Sequence, residues 1–253
     1  MNRQDEIMKL LETRGSIAIA ELAVAMDVSL ETVRRDVKPL QAAGALIRMH
    51  GAVALAGQTG EAPFQKRMGE GAEAKRAIAR SLAATIRDGD AVMLDTGTTT
   101  SYLARALMGH RRLVVVTNSS DIARTLATVN GNRVYMAGGE LRPDNGAAFG
   151  PSALEFIARF FVAHSVISAG AVDASGVMDF DLDEAEFARA VLSRGERRVV
   201  VTDHSKFGRR GLISVCGFDG VTDLITDAAP SSAISEALQA AGTKLTVAGD
   251  TRR

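Results

Sequence analysis

Cysteine is almost missing from this chain: Cys216 is the only one in 253 residues. A lone cysteine excludes an intrachain disulfide and a cysteine-built metal cage, and it fits a reducing cytoplasm. A nucleophilic thiol needs a neighbouring base, and the sequence gives little support for one at Cys216. Long apolar runs are missing as well. Val199–Val201 and Leu113–Val116 are of strand length, against the roughly 20 apolar residues needed to span a bilayer. The charged, helical start of the chain lacks the basic-then-apolar order of a secretory leader, so a soluble cytoplasmic protein without membrane attachment is expected. Net charge is also lacking, with 30 basic and 30 acidic residues. That balance counts against a chain that is all nucleic-acid clamp, but it leaves room for a small DNA-reading module on a neutral body.

What is present describes an ordinary globular protein, 46% hydrophobic and 24% charged, long enough for one large domain or a small one plus a medium one. Charge is asymmetric locally: between residues 34 and 50, Arg34, Arg35, Lys38 and Arg48 face only Asp36. The first fifty residues carry helical spacing at Ile7, Leu10 and Leu11, ended by Gly15. A short second helix is expected over Ala18–Ala25, then a tight segment Met26–Val28, then a third helix capped by Ser29 with a buried stripe of Val33, Val37 and Leu40. Pro39 is expected to kink that helix or end it early. Two short helices, a turn and a third helix make a helix-turn-helix. Off the apolar stripe lie Ser29, Glu31, Thr32, Arg34, Arg35 and Lys38, whose hydroxyls and guanidinium groups suit phosphates and base edges. Ala45–Leu55, with Arg48 and His50, reads as a β-hairpin wing. On composition alone, a helical packing module with a solvated basic face remains an alternative.

Gly57–Pro63 is rich in turn formers, which places a DNA-binding domain at 1–57, a linker at 58–72 and a larger domain at 73–253. From residue 73 onward helix and strand alternate: helix 73–87, strand Ala91–Asp95, helix 99–108, strand Leu113–Thr117, helix 119–128 and strand Arg133–Ala137. Later come strand Ser165–Ala169, helix 182–194, strands Arg198–Thr202 and Thr222–Thr226, helix 231–241 and strand Lys244–Val247. Valine-rich strands alternating with helices give the α/β class, with a largely parallel sheet whose ligands bind beyond the carboxyl ends of the strands. Three strand ends carry suitable chemistry. Asp95, Gly97, Thr98, Thr99 and Thr100 form a small hydroxyl-rich loop running into a helix, which suits an anion site without the lysine of a P-loop or a simple turn with threonine caps. Asn118 follows the next strand, where it also suits a helix cap. Gly138 and Gly139 follow the third, where glycine lets backbone approach a ligand or simply turn. Asp179 to Glu186, with Glu184, reads as an acidic helix start suited to the macrodipole. Asp203 to Arg209 places Lys206 where it can hold a phosphate, or merely occupy a surface loop.

Arg3, Ile7 and Leu11, then Ser29-Leu-Glu-Thr32-Val-Arg-Arg-Asp36-Val37 and the wing string Leu46-Ile-Arg-Met-His50-Gly51, resemble the DeoR family of repressors, with one wing glycine where that family usually has two. The resemblance extends over the larger domain, to about Val247. It implies a winged helix-turn-helix plus a Rossmann-like α/β sensor similar in fold to ribose-5-phosphate isomerase. It also implies double-stranded operator DNA as partner, a homo-oligomer (dimer or tetramer) and a phosphorylated metabolite as effector. On this footing Asp95 and Gly97–Thr100 hold phosphate, and Asn118, Gly138, Gly139, Glu184 and Lys206 line the pocket with Asp179 beside them. Gly138-Gly-Glu-Leu141, Met178-Asp-Phe-Asp181, Asp203–Arg209 and Leu224–Pro230 resemble the branch that governs glycerol-3-phosphate metabolism, although Thr100 stands where that branch has proline. Neither a metal nor a cofactor is implied beyond the effector. The rival reading is a sugar-phosphate isomerase of the same fold. Such an enzyme needs an acid after the strand Val166–Val172, and no carboxylate occurs there before Asp173.

Overall fold

The computed structural model describes residues 3–14, 16–49, 52–55 and 61–249. The chain divides into two compact units, residues 1–63 and 64–253.

The smaller unit runs α1 (Arg3–Arg14), β1 (Ser16–Ala18), α2 (Ile19–Ala25), α3 (Leu30–Ala42), β2 (Leu46–Met49) and β3 (Ala52–Leu55). Its core gathers Ile7 and Leu11 from α1, Ile19 and Leu22 from α2, Val33 and Val37 from α3, and Leu46 and Val53 from the hairpin, with Leu40 partly buried against them. These are the positions that 3.6-residue and two-residue periodicity single out. Short β1 pairs with β3, making the wing a three-stranded antiparallel sheet in the order β1-β3-β2. The expected break at Pro39 does not occur, since α3 runs through it to Ala42. Pro39 lies on the exposed side of α3 near its end, where water can serve the carbonyl its missing N–H leaves free.

The larger unit begins with α4 (Phe64–Gly69) and α5 (Ala72–Ala83). There follow β4 (Ala91–Leu94), α6 (Thr98–Ala106), β5 (Val114–Thr117), α7 (Ser120–Ala127), β6 (Arg133–Met136), α8 (Pro151–Ile157) and β7 (Val162–Ser168). Next are β8 (Ala171–Asp173), β9 (Gly176–Asp179), α9 (Leu182–Leu192), β10 (Gly195–Val201), β11 (Ile213–Cys216), β12 (Asp223–Thr226), α10 (Ser232–Ala241) and β13 (Lys244–Val247). Seven strands form one parallel sheet in the order β13-β12-β10-β7-β4-β5-β6. Burial alternates along them. Met93, Val116, Ile167, Val200 and Leu224 enter one core with Phe187 and Val191 of α9 and Ile234 and Leu238 of α10. Val92, Leu94, Val115, Val166, Val199 and Ile225 enter the other with Ile78 and Leu82 of α5, Leu103 of α6 and Ile122 of α7. This is the α/β class with helices on both faces that the alternating strings imply.

Residues 64–72, expected as linker, instead belong to the larger unit. Phe64 is buried, and its backbone N–H donates to both carboxylate oxygens of Asp144 at 3.2 Å. The sheet β11-β9-β8 is antiparallel and was not anticipated. Asp179 therefore ends strand β9, and the helix start proper is Asp181, whose side chain accepts the N–H of Glu184 at 3.1 Å.

Candidate functional site

Strand order fixes where the site lies. From β4 the chain builds outward through β5 and β6, then crosses to β7 on the other side of β4 and continues to β10, β12 and β13. The crevice where an open parallel sheet changes direction is its usual ligand position, and by the strand order that position is between the carboxyl ends of β4 and β7. Asp95 leaves β4 at that point, and Ser168 ends β7. The two are joined: Asp95 Oδ2 accepts the Ser168 N–H at 2.9 Å and its hydroxyl at 3.3 Å.

The loop after Asp95 is shaped by space. Gly97 is extended, with φ −165°, so its backbone does not demand glycine. A Cβ there would stand 1.8 Å from Ser168 Oγ, and that is what does. Thr100 Oγ1 donates within the loop, with Asp95 O at 3.2 Å and Gly97 O at 3.1 Å. It therefore builds the turn, while Thr98 and Thr99 start the helix, both nearly buried. The N-terminal amides of α6 have no side-chain cap, which leaves donors and the positive end of the helix dipole directed at the crevice. Buried polar atoms around them lack a protein partner: Asp95 Oδ1, Thr96 Oγ1, Ser101 Oγ and Asn118 Oδ1. Buried polar groups are nearly always paired, and these four, of seven such atoms among the described residues, lie on the segments that leave β4 and β5 and in the first turn of α6. Burial is the main force on the Asp95 carboxyl and raises its pKa from 3.8 to about 7, against hydrogen bonds from Ser168 and Thr100 and with the repulsion of Asp179 adding to it.

The remaining expected residues are found in different states. Asn118 is fully buried and its Nδ2 donates to Ala148 O at 2.9 Å. It ties down the segment 147–149, and the cap of α7 is Ser119. Gly138 and Gly139 are exposed, and Gly139 has φ +149°, a backbone conformation that favours glycine. Asp179 Oδ1 accepts the N–H groups of Phe180 at 2.6 Å and Asp181 at 3.3 Å. Glu184 Oε1 accepts from Asn145 Nδ2 at 2.9 Å. Lys206 is half-buried in the turn after β10.

Sequence reasoning missed three groups. Ser168 gives no signal of its own, because its importance comes from the neighbour across the strand pair. Arg142 pairs with Asp181 at 3.0 Å and with Asp183, lies 3.8 Å from Glu184, and covers the Phe149 ring at 4.3 Å. The acidic helix start is thus held from outside, beyond any macrodipole effect. Lys75 is buried, with Nζ donating to Glu70 O at 2.7 Å and to Arg67 O. Its pKa is lowered mainly by burial, and Asp203 acts against that. A signal for Lys75 did exist: it occupies the apolar stripe of α5 with Ile78, Ala79 and Leu82, where a lysine is anomalous. Cys216 is ordinary, since burial pushes its thiol up to about 11, which suppresses nucleophilicity. Asp173, the first carboxylate after β7, is spent in an exposed turn on Ser175 N at 2.7 Å. No group of three or more potential metal ligands occurs among the described residues.

In the smaller unit, α3 presents Glu31, Arg34, Arg35 and Lys38 to solvent, with Glu31 and Arg34 3.8 Å apart. Ser29 is the helix cap, accepting the Thr32 N–H at 3.2 Å, and its hydroxyl meets that of Thr32 at 2.8 Å. These two therefore have structural duties as well. Arg3 Nε pairs with Asp36 at 2.7 Å, fixing α1 on α3. Arg48 lies in β2, and His50 falls outside the described residues. No helix among the described residues is long and apolar enough to cross a membrane.

Comparison with known proteins accounts for both units. Residues 3–59 match the DeoR-like helix-turn-helix domain and residues 70–228 the DeoR C terminal sensor domain. The chain is 35% identical to the HTH-type transcriptional repressor CsqR of Escherichia coli, over 94% of this chain and 91% of that one. It is 32% identical to the glycerol-3-phosphate regulon repressor of the same organism, over 93% and 94%. Among solved structures, ribose 5 phosphate isomerase A of Neisseria gonorrhoeae is similar at 17% identity and a TM-score of 0.40, over 54% of this chain and 53% of that one. A DNA-reading helix-turn-helix, a sensor domain and repressor relatives aligned along nearly the whole chain make this protein a member of the DeoR family of transcriptional repressors, a regulator and not an enzyme.

Proposed function

We propose that this repressor governs a carbohydrate or polyol catabolic operon and leaves its operator when a phosphorylated metabolite, glycerol-3-phosphate above all, fills the crevice between β4 and β7. The observation that carries the reading is the uncapped start of α6 beside buried, unpartnered polar atoms at the switch point of the sheet. A phosphate there receives the amides of Thr98 and its neighbours. The polyol end reaches toward Asp179, Glu184 and Lys206, with Asn118, Gly138 and Gly139 at the rim. The identity of the tail rests on the motif strings and on the relative named for glycerol-3-phosphate. CsqR, equally similar in extent, carries no such name.

In the DNA-reading unit, Arg34, Arg35 and Lys38 supply the cations, Ser29, Glu31 and Thr32 the first-turn polar groups, and Arg48 and His50 the wing. A homo-oligomer places two such helices on two half-sites, and effector binding changes their spacing. The coupling is expected to be worth about 1–3 kcal/mol, as in other allosteric proteins.

The test is a thermal-shift panel of glycerol-3-phosphate, ribose-5-phosphate and fructose phosphates, with inorganic phosphate as control. Glycerol-3-phosphate at a hundredfold excess over its Kd is expected to stabilise the protein by about 2.7 kcal/mol. A selective shift by another sugar phosphate would replace the effector, and no shift by any would remove the phosphate reading. The division of labour between units has its own check. Arg35→Ala is expected to weaken operator binding by about 1–3 kcal/mol with effector binding unchanged. Thr98→Ala is expected to bind operator normally and to lose the response. Both variants losing both activities while folded would contradict it.

A further inference from the structure

The larger unit starts with a helix that is attached oddly. Of the residues of α4 only Phe64 is buried, and beside the helix lies a cleft of about 700 Å³ lined by Phe64, Met68, Tyr102, Arg105 and Asn145 among others. Phe64 and Met68 seat the helix and the rest of it is exposed or half-exposed, so much of its hold is polar, and such contacts can be exchanged as packed surfaces cannot. The contacts are few and specific. At the amino end, Phe64 N–H donates to both oxygens of Asp144 at 3.2 Å. In the last turn, Tyr102 Oη donates to Met68 O at 3.0 Å. At the carboxyl end, Lys75 Nζ donates to Arg67 O and Glu70 O.

Each holder belongs to a different part of the crevice. Tyr102 sits one helical turn after Thr98, on the helix whose start faces the crevice. Asp144 precedes Asn145, whose side chain is bonded to Glu184. Lys75 feels the charges of Asp203 and Lys206 in the turn after β10. Three elements that carry proposed effector residues, or bond to them, thus meet again at one short helix, and that helix follows directly on the boundary between the two units.

We infer that α4 is the output element of the sensor, and that Asp144 and Tyr102 are coupling residues which transmit the state of the crevice to the chain leading into the DNA-reading unit. The inference rests on the effector reading above. Filling the crevice shifts the start of α6 and the 142–145 segment, and the shifts reach α4 through the Tyr102 hydroxyl and through the two oxygens of Asp144 on the Phe64 N–H. Because residue 63 is covalently joined to Phe64, a displaced α4 start displaces the end of the smaller unit's chain. Neither Asp144 nor Tyr102 belongs to the effector set or to the DNA-contacting set, so their loss removes communication and leaves each binding activity in place.

The test compares wild type with Asp144→Ala, Tyr102→Phe and the double variant, all as full-length protein. Binding of glycerol-3-phosphate, fructose-1-phosphate and ribose-5-phosphate is measured by calorimetry. Operator binding is measured by fluorescence anisotropy, with and without each compound, on a duplex from upstream of the protein's own gene. In wild type the effector is expected to weaken operator binding by a factor of about 5–150, the usual range of allosteric coupling. In the double variant that factor is expected to fall close to 1, with each separate Kd within about threefold of wild type, an effect that general loosening does not produce. Asp144→Asn, which keeps an acceptor for the Phe64 N–H, is expected to restore the response where Asp144→Ala loses it. A double variant released as readily as wild type overturns the coupling role and leaves the sensing reading intact. Wild type that binds none of the three compounds overturns the sensing reading, and the coupling role with it.

Discussion

Asp95→Asn is expected to make the sensor more stable at pH 8, by about 2 kcal/mol, and to leave its stability nearly unchanged at about pH 3, below the unfolded-state pKa. The folded state raises this carboxyl from 3.8 to about 7, chiefly through burial. A raised folded-state pKa means that the native protein holds the proton more tightly than the unfolded chain does. The stabilising proton is fully in place below about 4, and its contribution is lost as pH rises through about 7. Above that, folding carries the cost of a buried carboxylate, whose ceiling at 1.36 kcal/mol per unit is about 4 kcal/mol. Asparagine is neutral at every pH, and its Oδ1 can still accept the Ser168 N–H that Asp95 now takes. Half the ceiling is expected, because asparagine puts an amide NH2 where Asp95 has an oxygen, and that buried group must find its own acceptor. The Tm of the sensor transition should rise by about 4–8 °C at pH 8, and the gain should vanish on acidification. An asparagine variant that is less stable than wild type by the same amount at both pH values would show that folding does not raise the Asp95 pKa.

The same residue couples effector to proton. A phosphate seated at the start of α6 stands near a carboxyl that is uncharged below about 7 and negative above it. The affinity of wild type relative to Asp95→Asn should therefore fall as pH rises from 6 to 8, the titration of the phosphate itself at about pH 6 being common to both. On the proposed reading a protonated Asp95 can donate to the phosphate, and burial is what keeps it protonated near neutrality.

Much of this was legible in the sequence, and the parts that were not share a cause. The parallel strands could be read because valine-rich strings of fixed length are bounded by turn residues. The start of α6 could be read because Asp95-Thr-Gly97-Thr-Thr-Thr100 puts small polar residues between a strand and an apolar-striped helix. The reading turn could be placed because Ser29 caps α3. By contrast, β8, β9 and β11 are short and their partners distant, Met178 pairing with Ser214 and with Ala171, so no local period announces them. The seat of α4 was missed for the same reason. What converts a presumed linker into structure is Asp144, eighty residues along the chain from Phe64. Pairs such as Asp95 with Ser168 and Asn145 with Glu184 are likewise products of topology. Residue types that suit a site can be recognised from sequence, but which of them meet is decided only when the sheet order is known.

The sheet order also sets the second large effect, Gly97→Ala, which is expected to cost about 2–3 kcal/mol and to weaken effector binding at least about tenfold. Backbone strain is no part of the argument, because the residue is extended at φ −165°, a conformation alanine adopts freely. The obstacle is across the strand pair. An added Cβ would lie 1.8 Å from Ser168 Oγ and 2.7 Å from Ser168 Cβ, and Ser168 cannot retreat without releasing Asp95, which it holds through both its N–H and its hydroxyl. The ends of β4 and β7 must separate, and the start of α6 moves with them. Because one neighbour causes the clash, one further change should relieve it. Ser168→Gly removes both clashing atoms and keeps the backbone N–H that donates to Asp95. The remaining neighbour, Thr100 Oγ1 at 3.2 Å, needs to shift only slightly. The double variant is therefore expected to be more stable than Gly97→Ala alone, with a coupling of about 1–3 kcal/mol in a double-mutant cycle. Its effector binding should recover in parallel, since phosphate capture depends on the helix start and not on the serine hydroxyl. Additive effects of the two changes would mean that the β4–β7 junction does not set the geometry of the anion site, and the crevice would have to be built some other way.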